Sequence, residues 1–248
     1  MPKIMIESHE EIAILRLSNG VTNAISPDLI DDLSEKLITV EKDFRGVILA
    51  GGEKFFCIGL DLPALLMLDR IEMADFFNKF NHLLLSLFTL PLPTCCPISG
   101  HAIAGGNILA LTCDYRYAAS GEKLIGLNEI KLGVPVPYLA DLMLRQIVND
   151  QTATEILYSG EFMTIPDAKQ LGLVDEIFPK TDVEGRALEK VTELITRPRA
   201  AFSEIKANRV EKIRQRYEEN CVQKNEKFLD CWFSEPVQEL LKEASQKF

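Results

Sequence analysis

The sequence predicts an α/β core followed by a helical tail, and three features carry that prediction. Short, continuous apolar runs such as Gly46 to Ala50 and Thr94 to Ser99 have the length of buried strands. Amphipathic stretches with helical spacing lie between them, which is the alternation an α/β fold requires. After Val134 the strand-like runs fade and nearly everything reads as helix.

Ile12 to Leu17 reads as a strand closed by Ser18-Asn19-Gly20. Ser26-Pro27-Asp28 starts a helix, with a capping serine, proline at the first helical position and an acid in the first turn. Leu29, Ile30, Leu33 and Leu37 supply its buried face. The strand Gly46 to Ala50 ends at Gly51-Gly52, and Met73 to Leu90 is an amphipathic helix stopped by Pro91. The strand Thr94 to Ser99 leads through a glycine turn into a short helix ending near Cys113. Tyr115 to Ala119 and Lys123 to Gly126 read as short strands. Leu139 to Val148, Thr152 to Tyr158, Pro166 to Leu171 and Asp182 to Thr196 read as helices, and so does nearly all of Arg199 to Gln246. That organisation divides the chain into a core over 1–196 and a helical region over 197–248. The apolar tail residues Phe228, Cys231, Trp232, Leu240 and Leu241 have little chain left to cover them, so packing on another subunit is expected.

Composition narrows the function. A chain of 248 residues with 47% hydrophobic and 26% charged residues is an ordinary globular protein. A formal net charge of -10 opposes nucleic-acid and anionic-membrane surfaces. The run His82 to Ile98 is broken by Pro91, Pro93 and Pro97 and is no membrane span. None of the six cysteines forms a C-x-x-C pair, and with only 3 histidines no metal site is expected. The cysteines read as buried thiols, and the N-terminus shows no signal peptide, so a reducing, cytoplasmic location is expected.

The most informative stretch is GHAIAGGNILALTCDYRYA, Gly100 to Ala118. A glycine pair at a helix start leaves bare backbone N–H groups free to face a ligand. A second strand-to-loop transition, GGEKFFCIGLD from Gly51 to Asp61, offers another such donor. Two donors of this kind suggest a hole for a developing oxyanion.

These stretches, with IGLNEIKLGVPVP (Ile125 to Pro137) and DAKQLGLVDEIFP (Asp167 to Pro179), resemble the crotonase, or enoyl-CoA hydratase/isomerase, superfamily in order and spacing. TNAISPDLIDDL (Thr22 to Leu33) resembles its first ligand-contacting turn. The resemblance implies a spiral core of repeated ββα units and a C-terminal helical region that builds trimers or hexamers. It implies an acyl-CoA thioester as substrate, with no cofactor beyond the coenzyme A that the substrate carries. The oxyanion amides match Leu60 and Gly105. Substrate contacts match Ala24, Phe56, Cys57, Leu60, Asp61, Leu62, Gly105, Gly106 and Ile108, and the acyl end would be lined from the Ile71 to Leu87 helix and the tail. Lys54 and Lys247 are candidates for the CoA phosphates.

Many hydratases of this family carry a glutamate three residues after the oxyanion glycine, where this chain has Ile108. The second carboxylate position is filled by Glu129. A loop glutamate is ordinarily a solvated acid, but the surrounding IGLNEIKLGV is similar to mitochondrial-type Δ3,Δ2-enoyl-CoA isomerases, whose catalytic glutamate occupies this position. One carboxylate suits moving a proton between carbons, whereas hydration normally uses two. Isomerisation of a 3-enoyl-CoA to a 2-enoyl-CoA is therefore the expected activity. The rivals are hydration, other enolate chemistry such as decarboxylation or thioester hydrolysis, and acyl-CoA binding with weak catalysis. Asp61 reads as a loop cap, His101 as structural, and Tyr115 and Tyr117 as packing residues. Asn107 and Asn128 read as side chains that bond the backbone of their own turns, with a place facing the pocket, orienting a water, as the alternative for Asn107.

Overall fold

The computed structural model describes residues 2–246. Its first two strands, β1 (Ile4–His9) and β2 (Ile12–Leu17), form an antiparallel hairpin. Helix α1 (Pro27–Asp43) starts as its sequence predicts, with the Ser26 hydroxyl accepting from the Leu29 amide at 3.3 Å.

The core then repeats one unit three times. Strands β3 (Gly46–Ala50) and β4 (Phe55–Cys57) precede helices α2 (Leu62–Leu65) and α3 (Arg70–Thr89). Strands β5 (Thr94–Ile98) and β6 (His101–Ile103) precede α4 (Gly105–Leu111). Strands β7 (Tyr115–Ala119) and β8 (Leu124–Gly126) precede a 3-10 turn, Glu129–Leu132, and α5 (Tyr138–Val148). The first strand of each pair joins one sheet and the second joins another. After α6 (Asp150–Ser159), β9 (Met163–Thr164), α7 (Ile165–Gln170) and β10 (Glu176–Phe178), the sheet orders are β1-β2-β3-β5-β7-β10 and β4-β6-β8-β9. Within the larger sheet every pairing except β1 with β2 is parallel. This is the spiral of ββα units that the resemblance implies.

Strands β3 and β5 are buried along their whole length, which explains their unbroken apolar sequences. One face of the larger sheet is covered by α8 (Val183–Ile195) through Val183, Ala187 and Val191. The main core lies on the other side, between α1, α3, α4 and α5. Helix α3 begins with a reciprocal capping box between Asp69 and Glu72, three residues earlier than its apolar periodicity indicates.

The tail differs from expectation in two respects. It is two helices, α9 (Arg199–Trp232) and α10 (Glu235–Ser245), because Ser234-Glu235-Pro236 ends one helical segment and starts another. Its large apolar residues are also largely covered by their own chain. Phe228, Trp232 and Leu241 are buried, and Phe228 stacks on Phe77 of α3 with ring centroids 3.8 Å apart. Of the five tail residues named from the sequence, Leu240 and Cys231 retain appreciable exposure. A buried ion pair fixes the start of α9. The Lys206 ammonium, 3% exposed, donates to Asp114 Oδ2 and to the Leu92 carbonyl, each at 2.9 Å. Asp114 also accepts from Arg209 and from the amide and hydroxyl of Thr94. Removing one partner of a buried pair leaves the other charge uncompensated. Asp114→Ala is therefore expected to lower the unfolding free energy by about 3–5 kcal/mol, measured by urea denaturation.

Candidate active site

The strand ends of the smaller sheet bring the two glycine turns together. Asn23 reaches the β4 strand, its Nδ2 donating to the Phe56 carbonyl at 3.1 Å. Ile25 donates to the Gly59 carbonyl at 2.8 Å and accepts from the Asp61 amide at 3.0 Å. The loop after β4 is thus tied to the turn that precedes α1. Gly59 has φ +97°, and a Cβ there would stand 2.9 Å from the Gly105 nitrogen. Gly106 lies against the Cys57 carbonyl with no room for any side chain. A Cβ placed on Gly105 would lie 3.5 Å from the Leu60 nitrogen, so the two amides are neighbours.

Leu60 and Gly105 both line a cavity of about 610 Å³. Among the described residues neither N–H donates to a backbone acceptor. Ala104, the residue before α4, turns the chain with φ +49° and ψ -125°, a conformation rare for a residue with a Cβ. Its amide is held by the Gly126 carbonyl at 2.9 Å. Holding such a conformation costs about 1–3 kcal/mol, which the surrounding packing must offset. Nothing in an alanine signals it.

Glu129 opens the 3-10 turn after β8 and lines the same cavity. It is 6% exposed, and its Oε2 atom has no hydrogen-bond partner. Burial pushes its carboxyl up to about 7, opposed only by a hydrogen bond to its own backbone. Ile108 of α4 and Val134 supply apolar wall beside it. A pair of free amides and an unpaired, proton-holding carboxyl on one apolar cavity are the parts needed to form and quench a thioester enolate.

The expected contact residues divide into two groups. Leu60, Leu62, Gly105 and Ile108 line the cavity. Phe56, Cys57 and Gly106 are buried behind it, Asp61 caps α2 by accepting from the Ala64 amide, and Ala24 lies outside the lining. From the turn before α1, Val21 and Thr22 are the lining residues instead. Burial raises the Cys57 thiol to about 12, so it stays protonated. Lys54 stands at the cavity, 5.3 Å from the centre of the Phe55 ring. Lys247 lies outside the described residues.

His101 is structural in its contacts, Nδ1 accepting from the Leu124 amide at 3.0 Å. Asn107 and Asn128 correct the sequence reading. Both amide atoms of Asn107 and the Oδ1 of Asn128 are buried without a partner, so neither bonds its turn as expected. Asn107 is fully buried and is not among the cavity-lining residues, whereas Asn128 lines the cavity. More of the lining comes from Phe80 of α3, Phe228 and Trp232 of α9, and Leu241 and Ala244 of α10. The sequence indicates these helices but not these residues, because the contacts join distant segments.

The enoyl-CoA hydratase/isomerase family model matches residues 7–247, and the chain belongs to that family. The human mitochondrial enoyl-CoA delta isomerase 1 is 31% identical over 191 residues, 75% of this chain and 63% of that protein. An enoyl-CoA isomerase/hydratase of Mycosarcoma maydis is 35% identical over 167 residues, 63% of this chain and 61% of that protein. The matches thus span less than two thirds of either relative. The crystal structure of human mitochondrial delta3-delta2-enoyl-CoA isomerase superposes with a TM-score of 0.95 at 27% identity, covering 99% of this chain and 97% of that one.

The buried carboxyl has a stability signature of opposite sign to a salt-bridged acid. Its folded-state affinity for a proton exceeds the unfolded one, so the folded state loses stability as pH rises from 4.5 toward 7. Above that range the ionised form bears the full cost, roughly 3 kcal/mol at about 1.4 kcal/mol per pKa unit. Glu129→Gln is expected to raise the unfolding free energy at pH 8 by an amount of that order and to have little effect near pH 4. Chemical denaturation at the two pH values measures the difference.

Proposed function

We propose that the chain is an enoyl-CoA isomerase that converts 3-enoyl-CoA to 2-enoyl-CoA, with Glu129 as the proton shuttle. The observation that carries this reading is that, among the described residues, Glu129 is the single carboxyl lining the cavity. Glu129 is there, unpaired and held near pH 7 by burial, while Ile108 fills the position at which many hydratases carry a second glutamate. The thioester carbonyl accepts hydrogen bonds from the Leu60 and Gly105 amides. Glu129 takes a proton from C2, and the electron pair spreads through the C3–C4 double bond into the carbonyl as a dienolate. The same carboxyl returns the proton at C4, which moves the double bond to C2–C3. Each amide contributes roughly 3 kcal/mol of barrier lowering in sites of this type. The reaction consumes no water and no oxidant, so CoA enters only as part of the substrate.

Lys54 at the cavity is the described candidate for a CoA phosphate contact. The reading also includes a homotrimer or a dimer of trimers, supported by exposed apolar side chains such as Ile205, Val222 and Tyr158 on the helical surface. Light scattering in solution measures the assembly. The free, mostly buried cysteines support a reducing compartment such as the cytoplasm.

Incubation with 3-hexenoyl-CoA is expected to give the conjugated 2-enoyl thioester, followed spectroscopically. Crotonyl-CoA is expected to show little water addition by mass. Glu129→Gln should lose at least about 100-fold in kcat, the usual weight of a positioned acid–base group. For the wild type, kcat/KM should rise with pH and level off above about 7, because only the ionised carboxylate accepts the C2 proton. Full turnover by Glu129→Gln, or hydration as the dominant reaction, would overturn the reading.

A further inference from the structure

Helix α10 touches both the cavity and the turn that carries Glu129. Leu241 and Ala244 line the cavity, and Leu241 is fully buried. One turn earlier, Val237 packs on the 3-10 turn that begins with Glu129. Gly133 closes that turn with φ +78°, and a Cβ there would stand 2.6 Å from Val237 Cγ2 and 3.4 Å from Leu240 Cδ1. Positions 237, 241 and 244 share one helical face. The face that braces the turn is therefore the face that walls the cavity.

The turn itself is short and lightly bonded. The Gly133 amide donates to the Ile130 carbonyl and the Val134 amide to the Glu129 carbonyl, each at 3.2 Å. From the opposite side it is held by Gly160, packed on Ile130, and by an ion pair between Lys131 and Glu161 at 2.6 Å. Helix α10 has few anchors of its own. Among the described residues it makes no ion pair, and Gln238 ties it to α9 by donating to the Trp232 carbonyl at 2.7 Å. Its position therefore rests on apolar contacts, to α2, to the turn and to whatever occupies the cavity beside Leu241.

We propose that α10 is the element through which acyl length sets the turnover rate, with Val237 as a positioning residue for Glu129. This rests on the isomerase reading and specifies its substrates: thioesters whose apolar chain is long enough to reach Leu241 and Ala244. Such a chain adds contacts to Leu241 and Ala244, and α10 then holds Gly133 and the Glu129 turn more firmly in place. A shorter chain makes fewer of these contacts and leaves the turn less firmly braced. Binding energy from the remote end of the substrate is thereby used at the reacting carbon, so length enters kcat as well as KM.

Two measurements on the intact protein test this. The first compares kcat and KM for 3-hexenoyl-, 3-octenoyl- and 3-decenoyl-CoA in the wild type and in Val237→Ala. In the wild type kcat should rise about tenfold or more once the chain reaches α10, a scale set by methylene discrimination in apolar pockets. In Val237→Ala the rise in kcat should shrink to about threefold or less while KM still falls with length. The second needs no turnover and no variant. Hydrogen exchange at the Gly133 and Val134 amides is measured with saturating acetyl-CoA and decanoyl-CoA, and decanoyl-CoA should slow it several-fold more. A kcat that does not vary with length, or equal protection by the two thioesters, would overturn the proposal. If no 3-enoyl thioester is turned over, the isomerase reading fails, and the exchange comparison still decides whether α10 couples the acyl chain to the turn.

Discussion

An unpaired carboxyl group held out of water is the constraint on which the site depends. Glu129 has an oxygen with no partner and is surrounded by apolar wall, so its charged form is disfavoured in the folded protein. A salt bridge would remove that cost and would also hold the carboxylate below the range in which it trades protons easily. The same desolvation that destabilises the fold above neutral pH brings the group near the pH at which it can both take and return a proton.

The rest of the molecule makes that cost tolerable and aims the amides. Repetition of the ββα unit puts the ends of β4, β6 and β8 side by side in the smaller sheet, so the loops that follow them converge. Gly59, Leu60, Gly105 and Glu129 come from these three loops. The fully buried strands β3 and β5 and the two clusters flanking the larger sheet give this arrangement its rigidity. The strain at Ala104 is intelligible in the same way. A backbone held at positive φ by its neighbours turns the chain into α4 and leaves the following amide, on cavity-lining Gly105, without a backbone acceptor.

The sequence discloses these parts unevenly, for physical reasons. Long helices and fully buried strands carry periodic or continuous apolar patterns, and α1, β3 and β7 lie where those patterns indicate. Strands of three residues, such as β4, β6 and β10, have too few positions to show a period and exist only because a sheet edge is available to them. The edge hairpin strand β1 is mostly exposed, and its sequence IMIESH shows no apolar-polar alternation. In the site, backbone donors leave glycine-rich motifs, so Gly105 and its partner loop can be located from residue types alone. Cavity walls assembled from Phe80, Phe228 and Trp232 have no local signature, since an aromatic on an amphipathic helix looks the same whether it meets core or substrate.

The tail shows how one segment serves stability and chemistry together. Lys206 and Asp114 dock the start of α9 in the core, and the stack of Phe77 on Phe228 fixes its far half. Those contacts carry Trp232 to the cavity wall, and the break at Ser234 lets α10 fold back over the cavity rather than continue away from it. A continuous helix from Arg199 to the end would leave Leu241 and Ala244 without the cavity they line and Gly133 without Val237. The interruption by Pro236 is thus as much a determinant of the site as the glycine turns. It converts a helix that would otherwise offer its apolar face to solvent into part of the wall of the apolar cavity that Glu129 lines.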